Sequence, residues 1–291
     1  MKPLPAFELV ARLEDADWLD PLAKSVGKAV RKVVRPGWVR DLLHGVPLGH
    51  PVHPLAVQVP VGAWVSAAVL DAVPGNETAA GMLVGVGTAA AVPAAVAGFT
   101  DWTQLHSQQQ RVGLVHAGAN LTATGLYAAS LVERARGRRA SGKVLAYLGL
   151  ATVSAGGFLG GHLTYRQAAG VNHTEDVPHR FPSGWQPLGQ LTDLVEGKLE
   201  QRTVAGLPLL VHREGDKVNV LSDVCSHLSG PLHEGKLKDR DGDPCVVCPW
   251  HRSTFSLRSG EVLAGPATAR QPRFEARVSG GAVEIRLPNA D

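Results

Sequence analysis

The stretch 225–251 opens with Cys225-Ser226-His227 and closes with Cys248-Pro249-Trp250-His251. Each box pairs a soft thiolate with an imidazole at close spacing. Two cysteines and two histidines split in this way can hold a [2Fe-2S] cluster, with both cysteines on one iron and both histidines on the other. The chain has 3 cysteines, too few for a disulfide framework. The third, Cys245, makes C-x-x-C with Cys248. It leaves open a zinc site of Cys225, His227, Cys245 and Cys248, although that set would not explain His251. The plainer reading of Cys245 is a small buried strand residue beside Val246 and Val247.

The flanking sequence is β-rich. Val204–Val211 reads as one strand, Glu214-Gly215-Asp216 as a turn, and Val218 and Val220 as the start of the next strand. Near the end, Phe274, Ala276 and Val278 alternate, Gly280-Gly281 turns the chain, and Val283, Ile285 and Leu287 alternate again. This is a period-two hairpin signal.

The two boxes resemble those of the Rieske family. The residues around them agree: Leu228 and Pro231-Leu232 follow the first box, and Ser253, Phe255 and Gly265-Pro266-Ala267 follow the second. The resemblance spans Trp185 to Leu287. It implies a domain of small antiparallel sheets, a [2Fe-2S] cluster on two loops, solvent-facing histidines as the electron port, and Ser253 beside a bridging sulfide. It also implies a low potential within the Rieske range of roughly −150 to +300 mV. High-potential members join an extra cysteine from each box as a disulfide, where this chain has Gly230 and Trp250. They also place a Tyr hydroxyl where this chain has Phe255, which has no proton to donate to sulfur. Arg252 departs from the family's usual Gly and brings a cation near the cluster.

Upstream the chain is apolar. Leu55–Leu70 lacks Asp, Glu, Lys and Arg, as do Ala79–Phe99, Val112–Val132 and Val144–Tyr165, which are 21, 21 and 22 residues long. About 20 helical residues cross a hydrocarbon core. The pattern predicts four transmembrane helices; the alternative is a buried, Ala-rich soluble bundle. Gly81 with Gly85, and Gly156 with Gly160, make G-x-x-x-G faces for close helix packing. Pro60 and Pro93 should kink their helices. His50-Pro51-Val52-His53-Pro54-Leu55, Pro60, His116 and Gly161-His162 resemble a four-helix bacterial membrane domain of unknown function over residues 45–168. The expected fold is therefore a membrane all-α four-helix bundle plus a C-terminal all-β Rieske [2Fe-2S] domain. The expected divisions are an amphipathic segment at 1–44, the bundle at 45–168, a polar linker at 169–184 and the Rieske domain at 185–291.

Residues 1–50 show no cleavable signal pattern. They are acidic early (Glu14, Asp15, Asp17, Asp20) and basic later (Lys24, Lys28, Arg31, Lys32). Asp20-Pro21 predicts an N-cap followed by Pro at the first helical position. Leu22, Val26, Val30 and Val33 then recur at helical spacing, which suits either an anionic membrane surface or packing on a neighbouring domain. Four spans place both termini on one side. The basic helix favours the cytoplasm for the Rieske domain, whereas Arg134, Arg136, Arg138 and Arg139 in the loop between the third and fourth spans argue for the reverse. The expectation is a multi-pass cell-membrane protein with a cytoplasmic Rieske domain.

Alternating helix direction brings His53, His116 and His162 to one membrane face, with Asp101, Trp102 and His106. Two of the three histidines could ligate haem b, the group could line a quinone site, or the residues could be interfacial without chemistry. The formal charge of +3 is too small to argue for nucleic acid. The functional expectation is a membrane-anchored Rieske electron carrier between a redox protein partner and a membrane site. Two other readings stay open: an electron-supplying component of an oxygenase system, and a redox-sensing or structural subunit. Only about 40 residues follow His251, too few for the mononuclear-iron domain of a terminal oxygenase.

Overall fold

The computed structural model describes residues 5–288, and only the backbone of residues 5–9. The outermost residues of the expected segments 1–44 and 185–291 therefore lie outside the described residues. The chain forms two compact units, Met1–Val39 with Val52–Ala169, and Arg40–Pro51 with Gly170–Asp291.

The first unit is helical. Its N-terminal part holds α1 (Pro5–Glu14) and α2 (Asp20–Val33). α3 (Gly37–His44) then runs across the division between units. α4 (Val52–Ala56) and α5 (Gln58–Ala72) are separated at Val57, because Pro60 has no amide to bond the Ala56 carbonyl. α6 (Glu77–Trp102) continues through Pro93, and α7 (Ser107–Ala135) and α8 (Arg139–Tyr165) complete the bundle. Trp64 of α5 stacks on Tyr127 of α7 with ring centroids 4.2 Å apart, and Ala67, Val84, Ala123, Ala146 and Val153 close around them. The outward faces carry Val65, Val69, Met82, Val86, Leu121 and Leu148, all exposed. Large apolar side chains on every outer face are what a bundle surrounded by hydrocarbon presents.

Three segments are long and apolar enough to cross a membrane: Val52–Ala72, Glu77–Trp102 and Arg139–Tyr165. The expectation of four spanning helices is thus supported for three. α7 is long enough, but it carries Gln108, Gln109, Gln110 and Arg111 in its first turns, His116 and Asn120 along its length, and Glu133 and Arg134 near its end. Most of these polar groups are bonded within the helical unit. At one end of the bundle, Arg134 grips the fully buried carboxylate of Asp71, Ser130 donates to the Gly142 carbonyl (2.6 Å), and Lys143 donates to the Asp71 carbonyl (2.9 Å).

Asp20 is not an N-cap. α2 begins at Asp20 itself with no side-chain cap. The carboxylate instead receives two hydrogen bonds from Arg111 of α7 (2.7 and 3.0 Å), while Arg111 also donates to the Glu14 carbonyl (2.8 Å). The face of α2 that packs inward is Ala23 and Gly27, whereas Leu22 and Val33 of the sequence-derived stripe are exposed.

The second unit is built on two antiparallel sheets. One has six strands in the order β1-β10-β9-β4-β3-β2: β1 (Gln186–Gln190), β2 (Leu199–Val204), β3 (Leu207–Glu214), β4 (Lys217–Ser222), β9 (Arg273–Ser279) and β10 (Ala282–Arg286). The other runs β5 (Lys236–Arg240), β6 (Asp243–Val247), β7 (Thr254–Ser256) and β8 (Val262–Ala264). The expected strand Val204–Val211 is two strands. Ala205 and Gly206, both at positive φ (52° and 76°), form a two-residue hairpin turn between Val204 and Leu207. The C-terminal hairpin is as expected, with Ser279 opposite Ala282 across Gly280-Gly281 and with Phe274, Val283 and Ile285 turned into the core. A short helix, α9 (Val177–Arg180), lies in the segment read as a polar linker, yet Val177 and Phe181 are buried in that core. The Phe181 ring meets Phe274 edge-on at 4.7 Å. A second core of Leu210, Leu221, Leu232, Val246, Phe255 and Leu257 lies beneath Cys225 and Cys248.

Candidate metal centre

Both boxes fold into the same loop. The first follows β4 and the second joins β6 to β7. Cys225 N donates to the Gly230 carbonyl five residues on (2.9 Å), and Ser229 N donates back to the Cys225 carbonyl (2.9 Å). Cys248 N donates to the Ser253 carbonyl, again five residues on (2.8 Å), and Arg252 N donates back to the Cys248 carbonyl (3.2 Å). The fifth residue of each loop is left-handed, Ser229 at φ 62° and Arg252 at φ 66°. Neither is glycine, so the sequence carries no mark of either bend.

The loops bring the four expected ligands together in pairs. The Cys225 and Cys248 thiols hydrogen-bond to each other, and both are buried. That bond lowers the Cys248 pKa to about 7, helped by the amides of Trp250 and His251. It pushes Cys225 well above its ordinary value, and burial adds to the rise. The His227 and His251 rings meet nearly perpendicular with centroids 5.1 Å apart, each half-buried. A Cβ added at Gly230 would lie 2.9 Å from Cys248 Sγ and 3.2 Å from the Trp250 ring. The positions that high-potential Rieske proteins bridge by a disulfide therefore meet here as a glycine against an indole. Phe255 is fully buried below the loops, and Ser253 Oγ accepts a hydrogen bond from Ala267 N (3.1 Å).

Residues that the sequence did not single out brace these loops. Gln271, 1 % exposed, donates to the carbonyls of Ser222 (2.9 Å) and Val224, and accepts from Ser226 N (3.1 Å). Buried Asp223 accepts from His233 N (2.7 Å) and from Gln201 (2.7 Å), and pairs with the His233 ring at 2.6 Å. Asp41 accepts from Gly265 N (2.8 Å) in the loop that crosses Ser253.

Comparison with known proteins identifies the family. Residues 184–275 match the Rieske [2Fe-2S] domain, and residues 49–173 match a family described as a predicted membrane protein (DUF2231). The ferredoxin subunit of anthranilate 1,2-dioxygenase from Burkholderia cepacia is 31% identical over 103 residues, covering 35% of this chain and 92% of that protein. The chain belongs to the Rieske [2Fe-2S] family. The ferredoxin subunit of 3-phenylpropionate/cinnamic acid dioxygenase from Escherichia coli is 37% identical over 76 residues, covering 26% of this chain and 69% of its own. Among solved structures, the ferredoxin of carbazole 1,9a-dioxygenase from Nocardioides aromaticivorans is 26% identical with a TM-score of 0.33, over 36% of this chain and 99% of that one. The chain is thus a Rieske domain fused to a membrane-protein domain.

A Rieske domain implies a [2Fe-2S] cluster, and the residues present fit one. The two loops each supply one thiol to a bonded pair and one imidazole to a contacting pair, and Gly230 packs so close to Cys248 Sγ that any side chain there would press on the sulfur. Among the described residues no three or more of His, Cys, Asp and Glu gather around a single ion position. The alternative zinc set would need Cys245 beside Cys225, His227 and Cys248. Cys245 instead sits in β6 opposite Lys238 and Ser256, fully buried, and burial raises its thiol pKa.

In the helical unit the rings of His53 and His116 stand nearly perpendicular with centroids 6.4 Å apart. His162 belongs elsewhere: its Nε2 is 2.7 Å from the Glu14 carboxylate of α1.

Proposed function

We propose that the chain is a membrane-anchored Rieske electron-transfer protein, with Cys225 and Cys248 on one iron and His227 and His251 on the other. A [2Fe-2S] cluster bound there takes up and releases one electron at a time. The buried thiols hold the inner side away from water, and the half-exposed histidines form the edge through which a partner exchanges the electron. The lack of a hydroxyl at Phe255 and of a disulfide between the loops supports a low potential, as in ferredoxins. The observation that carries this reading is that the same two loops supply a bonded thiol pair and a contacting imidazole pair. Electron paramagnetic resonance of the dithionite-reduced, purified chain tests it. A Rieske signal that disappears in Cys248→Ser supports the assignment; a colourless, silent protein containing zinc overturns it.

The domain divisions set out from the sequence, at 1–44, 45–168, 169–184 and 185–291, belong to this proposal. So do four membrane spans, α7 being the fourth with its polar groups turned to neighbouring helices, and a cytoplasmic Rieske domain. Protease digestion of inside-out vesicles tests the orientation, since protection of the C-terminal domain would reverse it. The two dioxygenase ferredoxin relatives favour a redox protein partner, and an oxygenase component is the second reading. Affinity purification from native membrane tests it by the redox subunits that accompany the chain.

A further inference from the structure

We propose a second prosthetic-group site in the helical unit. His53 and His116 form a trans pair of axial ligands for the iron of a planar tetrapyrrole of the b-type haem class. This site is independent of the iron–sulfur centre.

Each ring is fixed in the same way. His53 Nδ1 lies 2.9 Å from the Ala94 carbonyl of α6, and His116 Nδ1 lies 2.8 Å from the Gly156 carbonyl of α8. A carbonyl can only accept, so each Nδ1 carries the proton and each Nε2 keeps its lone pair. Metal-binding histidines are oriented by this kind of bond on the nitrogen remote from the metal. Each ring is also seated on a glycine. A Cβ at Gly98 would come within 2.7 Å of the His53 ring, and one at Gly160 within 3.1 Å of the His116 ring. The Asn120 amide nitrogen is 3.4 and 3.3 Å from the two nitrogens of His116 and 2.8 Å from its carbonyl. Near-equal distances put it over the ring rather than in line with one lone pair.

The spacing matches one ligand class. A metal–nitrogen bond is about 2.0 Å and an imidazole centroid lies about 1.2 Å behind its nitrogen, so two imidazoles trans on one ion have centroids about 6.4 Å apart. The His53 and His116 centroids are 6.4 Å apart with the ring planes at 86°. Among the described residues no third His, Cys, Asp or Glu joins them around one ion position. A bare zinc or copper(II) ion needs about four protein donors, whereas iron already held by four in-plane nitrogens needs two. Facing helices of a bundle are a common setting for such ligands.

The test is pyridine haemochrome analysis, metal analysis and visible spectroscopy of the full chain, purified from membranes grown with a haem precursor. We expect about one b-type haem per chain, lost at least tenfold in His53→Ala and His116→Ala and retained in His162→Gln. His53→Met and His116→Met are expected to keep haem with a shifted spectrum, since thioether replaces imidazole; a merely structural histidine would produce no such shift. Cys225→Ser is expected to keep the haem signal, which separates failure of this site from failure of the iron–sulfur assignment. No haem in the folded wild-type chain, a bare metal ion at one per chain, or haem unaffected by either alanine variant overturns the proposal.

Discussion

Replacing Gln271 with Leu is expected to open the sheet unit about a hundredfold more readily. The side chain is 1 % exposed and makes three hydrogen bonds to the first ligand loop and its approach, to the carbonyls of Ser222 and Val224 and the amide of Ser226. Leu fills nearly the same volume, so packing changes little, but three backbone groups lose their partner in a site closed to water. Each orphaned group costs about 1–3 kcal/mol, and the low end for all three gives about 3 kcal/mol. At about 1.4 kcal/mol per decade that is roughly 150-fold. Amide hydrogen exchange of peptides from residues 199–286 in the full chain reads this opening without interference from the helical unit. Exchange of the slowest core amides should accelerate by about two orders of magnitude, and the amides of 224–230 should exchange fastest. Gln271→Glu should be at least as damaging, because a carboxylate cannot donate to either carbonyl. An acceleration below about fivefold, equivalent to about 1 kcal/mol, would show that Gln271 does not brace the loop.

Asp71→Ala strands the largely buried guanidinium of Arg134 and should lower stability by about 3–5 kcal/mol in a detergent thermal melt; the double variant with Arg134→Leu should recover much of the loss. Arg252→Gly removes a side chain from a left-handed position, φ 66°, and should slow exchange of the second loop by an amount equivalent to about 1 kcal/mol; faster exchange would contradict the strain argument. His212 is 4 % exposed in β3, and burial lowers its pKa below the ordinary 6.5. The unfolded chain takes up a proton as pH falls through 6.5 while the folded chain refuses it, so the sheet unit should lose stability below that pH and gain nothing from this group above it. His212→Leu should flatten the difference in denaturation midpoint between pH 7.5 and 5.5, and an unchanged difference would assign the acid sensitivity to other groups.

Chemistry carried on short spacings was legible in the chain. The two boxes, the alternating C-terminal hairpin and the charge-free runs are local patterns; the hairpin forms where it was expected, and three of the four expected spans are long and apolar enough to cross a membrane. The split of Val204–Val211 was also legible in principle, since Ala205-Gly206 is a turn dipeptide, but a run of β-formers on both sides masked it. Composition left α7 undecided, because polar groups paired with other residues of the helical unit cannot be told from exposed ones in the sequence.

By itself, the amino-acid sequence determined the types and order of the candidate ligand residues and the division between an apolar helical part and a β-rich part. Side-chain chemistry and hydrophobic period are properties of neighbouring residues, so they survive in one dimension. Tertiary structure alone decided that Ser229 and Arg252 turn left-handed in matching loops, that Gln271 braces a loop 45 residues away, and that Asp20 clasps Arg111 instead of capping its own helix. It also decided that His116 meets His53 edge-on, while His162 answers Glu14. Partners far apart in the chain are chosen by packing geometry and by the need to satisfy every buried polar group, and neither leaves a periodic trace.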